Sequence, residues 1–139
     1  YPRDAKLSPA VNGTIFVVSL VVTVLLLGCT IWTGLRGRRR AHYPFAVATV
    51  LSLAFAIVQA RIYGESFVIP AMRLRIHLSL AFTALGLLPC AAVSGFLLIR
   101  RPGVRKWHRL LAWSFVVVTV AAMGAALWML EGATPVDAA

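Results

Sequence analysis

The chain has 139 residues, a formal net charge of +10, 60% hydrophobic residues and only four acids. So much apolar side chain, gathered into long stretches without an ionisable group, excludes a water-soluble domain and places the chain among integral membrane proteins. In a soluble protein the positive balance would suggest nucleic acid. Here orientation and contact with anionic lipid head groups account for it, and no nucleic-acid partner is expected.

Four runs carry no Asp, Glu, Lys, Arg or His: residues 7–35, 43–60, 78–99 and 110–130. At a rise of about 1.5 Å per residue each can cross, or nearly cross, a hydrocarbon layer of ~30 Å. The chain opens on Tyr1 rather than Met, so further N-terminal residues are expected, and the first run is too long for a signal-peptide core. It reads as a retained helix over about 11–35, with Asn12 as a cap, Trp32 at an interface and Thr14, Ser19, Thr23, Thr30 and Thr33 available for hydrogen bonds within or between helices. The second helix covers about 43–63, with Pro44 in its first turn. The third covers about 74–100, carries Pro89 in its interior, where a kink is expected, and offers Ser94 and Gly95 for close helix packing. The fourth covers about 104–130, with a smooth surface at Ala121, Ala122, Gly124, Ala125 and Ala126. Short connections force antiparallel neighbours, so the expected fold is all-α: one transmembrane domain over 1–139, an antiparallel four-helix bundle.

The cations set the expected orientation. Arg36, Arg38, Arg39 and Arg40 occupy the first gap, and Arg100, Arg101, Arg105, Lys106 and Arg109 surround the third. Both are short basic connections of the kind held on the cytoplasmic side, so both termini fall on the non-cytoplasmic side. The tails are mixed, with Arg3, Asp4 and Lys6 at one end and Glu131 and Asp137 at the other. The nine loop cations are candidates for contact with anionic lipid or with another subunit, and a purely topological role is the simpler explanation.

Three histidines stand at helix ends. Imidazole ligates haem iron, copper and zinc because its neutral form offers a lone pair. His42 and His108 share a depth in the expected topology and could bind a haem axially, with Arg39, Arg40, Arg105 and Arg109 facing its propionates. His77 lies near the opposite surface, where Met72 could join it in holding Cu(I). The simpler role for each is a hydrogen bond to a carbonyl or lipid phosphate. Cys29 and Cys90 lie at apolar depth and read as small hydrophobes. Gln59 is a polar residue at depth that needs a partner, most simply a Ser or Thr of a neighbouring helix. No acid–base pair, nucleophile triad, phosphate loop or mid-membrane acid is visible, so neither an enzyme nor an ion-coupled transporter is expected.

Four stretches carry a resemblance: Arg40-Ala41-His42, Arg75-Ile76-His77-Leu78-Ser79-Leu80-Ala81, Lys106-Trp107-His108-Arg109-Leu110-Leu111-Ala112-Trp113 and Val117-Val118-Thr119-Val120-Ala121-Ala122-Met123-Gly124. Over roughly residues 12–130 the chain resembles the CtaM-type family, small four-helix bacterial membrane proteins linked to haem–copper oxidase maturation. The resemblance implies a bacterial inner-membrane protein whose His42, His77 and His108 match the family's helix-end histidines. The family pattern has a further histidine near the outer end of the second helix, where this chain has Gln59, a poor ligand for haem or Cu(I). The expected function is therefore a non-catalytic subunit or assembly factor of a respiratory or photosynthetic electron-transfer complex. A small b-type cytochrome and a copper-handling protein are the alternatives.

Overall fold

The computed structural model describes residues 9–136; Arg3, Asp4, Lys6 and Asp137 lie outside them. Four helices dominate: α1 (Pro9–Leu35), α2 (Arg39–Gly64), α3 (Ala71–Arg100) and α4 (Arg105–Glu131), the last preceded by a 3-10 turn at Pro102–Val104. Two-residue extended segments lie at Phe67–Val68 and Thr134–Pro135. All four helices are long and apolar enough to cross a membrane. Contacts divide the chain into two compact units, Tyr1–Phe67 and Val68–Ala139, each built on one helical hairpin.

In the first hairpin the contacts run in antiparallel register. Gly13 meets Tyr63, Thr23 meets Ser52, Thr30 meets Thr49 and Gly34 meets His42. Lipid tails are as apolar as leucine, so burying aliphatic surface gains little here, and small residues and cross-helix hydrogen bonds hold helices together instead. Among the described residues the buried ones fit that rule: the apolar ones are Ala56, Ala84, Ala91, Ala122 and Phe115, beside Ser19, Thr23, Thr33, Thr49 and Ser94. Thr23 Oγ1 lies 2.7 Å from Ser52 Oγ and Thr30 Oγ1 lies 2.9 Å from Thr49 Oγ1. Thr23 also donates to the Ser19 carbonyl, so the proton of the first pair comes from Ser52. These pairs, not Gln59, carry the hydroxyl bridges between α1 and α2.

The turn between α1 and α2 is a Schellman motif. Arg38 N–H donates to the Thr33 carbonyl and Gly37 N–H to the Gly34 carbonyl, with Gly37 at φ +66°. That left-handed conformation favours glycine, and it reverses the chain within three residues. α2 then starts at Arg39, several residues before Pro44, because His42 N–H already donates to the Arg38 carbonyl. Pro44 is consequently inside the helix rather than in its first turn. Asn12 lies within α1 rather than capping it. α3 continues through Pro89, and Thr119 Oγ1 on α4 is the buried side-chain polar atom without a hydrogen-bond partner among the described residues.

The hydroxyl bridges predict a measurable coupling. Thr30→Val and Thr49→Val should each destabilise the hairpin by about 1 kcal/mol, with a coupling of about 0.6 kcal/mol in the double-mutant cycle. Reversible unfolding in mixed micelles measures both values; strict additivity would mean that the bridge contributes nothing.

Candidate functional site

The three histidines are where polar chemistry enters the hairpins, and each ring is tied to the opposite helix of its own hairpin. His42, in the first turn of α2, places Nδ1 3.0 Å from the Thr30 carbonyl of α1. His77, two turns into α3, places Nδ1 3.0 Å from the Ala122 carbonyl of α4. His108, in the first turn of α4, places Nδ1 3.1 Å from Ser94 Oγ of α3. A carbonyl only accepts, so Nδ1 carries the proton in His42 and His77. Ser94 donates its own proton to the Ala91 carbonyl at 2.8 Å, so His108 Nδ1–H donates to Ser94. In the neutral form each of the three rings therefore keeps its lone pair on Nε2.

Glycines make two of these approaches fit. A Cβ on Gly34 would lie 3.2 Å from His42 Cε1 and Nδ1, and one on Gly95 would lie 3.1 Å from His108 Cε1. Both hairpins thus use one device: a glycine late in the first helix, a basic turn, and a histidine at the fourth position of the second helix. Sequence periodicity does not reveal this parallel, because Gly34–His42 and Gly95–His108 are separated by connections of different length. A shared glycine-to-histidine order across each basic gap was the available signal.

The opposite end of each hairpin is closed differently. In the first, Tyr63 lies over Gly13, stacks on Phe16 with ring centroids 5.4 Å apart, and meets Phe67 edge-on at 5.0 Å. In the second, Arg73 Nη1 donates to the Trp128 carbonyl at 2.8 Å while its guanidinium lies 4.8 Å from the Trp128 ring centroid. A cation on the last carbonyls of α4 is favourable for the helix dipole. Gly132 leaves room for it, since a Cβ there would sit 2.6 Å from Nη1.

The remaining expected site residues are placed as follows. Ser94 and Gly95 receive the His108 ring, but a Cβ on Gly124 would meet nothing within 4 Å, so Gly124 faces outward rather than into the packed seam. Arg36 lies 4.4 Å from the Trp32 ring centroid and Arg100 lies 5.9 Å from that of Phe96. Arg38, Arg39, Arg40, Arg101, Arg105, Lys106 and Arg109 are exposed. Cys29 and Cys90 are free and exposed, not buried. Met72 is also exposed, and residues five apart on a helix are about 140° apart around it, so Met72 and His77 do not share a face. No group of three or more His, Cys, Asp or Glu that could hold a metal occurs among the described residues.

No protein-family model, curated protein or solved structure matches this chain.

The histidine geometry yields two expectations. Ring ¹⁵N NMR above the imidazole titration should show Nδ1 protonated and Nε2 bare in all three residues; an Nε2–H ring would mean that its clamp is not formed. Gly95→Ala brings a methyl closer to His108 than carbon atoms normally pack, and should cost about 1–3 kcal/mol. The same spectrum should show a displaced His108 signal, with His42 unchanged.

Proposed function

We propose that this chain is a non-catalytic accessory subunit or assembly factor of a membrane electron-transfer complex, respiratory or photosynthetic, in a bacterial inner membrane. Its four spans pack as an antiparallel bundle with both termini on the non-cytoplasmic side. One observation carries the reading: the three histidines and four of the hydroxyls bond across their own hairpin, while its outer surface is mostly apolar side chains and open glycines. Among the described residues, three dozen large hydrophobic side chains are exposed. A Cβ on Gly28, Gly86 or Gly124 would meet nothing within 4 Å, so these positions leave room for a neighbouring helix to come close. The resemblance of the four motif stretches to the CtaM-type family supports the choice of an electron-transfer complex, and the basic turns support the orientation.

A haem or copper role is the second reading, and one observation favours it. Histidines that ligate metals commonly donate the other ring N–H to a carbonyl, which fixes the tautomer and aims the lone pair. His42 and His77 both donate Nδ1–H to a carbonyl in this manner. Haem b on His42 or His108, or copper on His77, would be taken through Nε2. Gln59 in place of the family's fourth histidine ranks this reading second.

Isolation in mild detergent separates the possibilities. The accessory reading predicts that the chain travels with a larger complex; recovery only as a free monomer from cells that contain such complexes would overturn it. The haem reading predicts a Soret band that His108→Ala abolishes, and a colourless preparation after haem supplementation would eliminate it. Copper handling predicts stoichiometric copper, lost in His77→Ala, with no haem spectrum.

A further inference from the structure

The described acids and the loop cations sit at opposite ends of the hairpins. Residues 66–130 contain no Asp or Glu, and Glu131 closes α4 at the end far from Arg105, roughly 39 Å away along the axis. Among the described residues, the cations at the start of α4 therefore have no carboxylate of their own hairpin within reach. Arg105, Lys106, Arg109, Leu110 and Trp113 line one shallow groove on the side of α4. Arg105, Arg109 and Trp113 are spaced by four and form one stripe. Unlike Arg36 and Arg100, none of the three groove cations lies over an aromatic ring among the described residues.

We infer that this groove is a binding site for an anionic glycerophospholipid, with the phosphodiester on Arg105, Lys106 and Arg109 and an acyl chain along Leu110 and Trp113. The order of side chains matches the order of groups in such a lipid. Cations occupy the first turn, and an indole with its N–H follows about 12 Å deeper, where the uncharged run of α4 enters the hydrocarbon. Leu110 and Trp113 are exposed, so an acyl chain has apolar surface to cover. Three cations within little more than one turn repel the ammonium of a zwitterionic head group, which selects a lipid with net negative charge. The inference is independent of the accessory-subunit reading, because it needs only that α4 spans a bilayer.

Native mass spectrometry of the delipidated full chain, titrated with phosphatidylglycerol or with phosphatidylcholine of the same acyl chains, tests it. The wild type should retain phosphatidylglycerol preferentially. R105Q/R109Q should bind it about 30-fold more weakly and lose the preference, the loss expected for two basic side chains at a charged interface. R105K/R109K should keep the preference, and R38Q/R39Q should bind as the wild type does. Quenching of tryptophan fluorescence by brominated-chain phosphatidylglycerol should fall in Trp113→Leu. Equal retention of the two lipids, wild-type binding by R105Q/R109Q, an equal loss in R38Q/R39Q, or displacement of the lipid by excess inorganic phosphate would each overturn the assignment.

Discussion

Inside a bilayer a polar group that is not paired within the protein has nothing to pair with. That constraint decides how each hairpin is built. Aliphatic contact between helices gains little over contact with lipid, so the specific bonds are those from hydroxyls, imidazoles and the Arg73 guanidinium to the opposite helix. Thr23, Ser52, Thr30 and Thr49 bridge the middle of the first hairpin, and His42 ties its basic end. In the second, His77 and His108 hold the two ends of the seam. The packing surface around these bonds is mostly alanine, glycine, serine and threonine, which lets backbones approach closely enough for side chains to reach the facing helix.

This use of histidine also bears on chemistry. A ring whose Nδ1–H is committed to a carbonyl has a fixed tautomer and a fixed plane, and the bond that braces the hairpin also selects which nitrogen could meet a metal. Bracing and ligation are thus compatible roles for the same imidazole. What distinguishes them is occupancy of Nε2, a question for spectroscopy rather than for the packing of the hairpin.

Much of the fold was legible because membrane insertion writes it coarsely. Uncharged runs of the right length fixed four helices, and the boundaries fell within a few residues of those observed. The differences have local causes. Pro44 reads as a first-turn residue, yet the Schellman turn at Gly37 lets α2 begin at Arg39 and carries the helix through the proline. Composition does not say which side of a helix faces its hairpin partner: Gly124, read as packing surface from its small neighbours, lies outside the α3–α4 seam and stays open to a further helix. The same ambiguity hid the exposure of Cys29 and Cys90. The histidines were legible as polar groups at helix ends. Their carbonyl and hydroxyl partners were not, since those depend on the register between helices and on glycines at the points of contact.

The Gly37 turn has a consequence for folding order. Because the chain reverses immediately after α1, the hydroxyl and imidazole bonds of the first hairpin join segments that follow one another directly in the chain. Pairing α1 with α2 needs no residue beyond Gly64, so the loop to be closed is short and its entropic cost small.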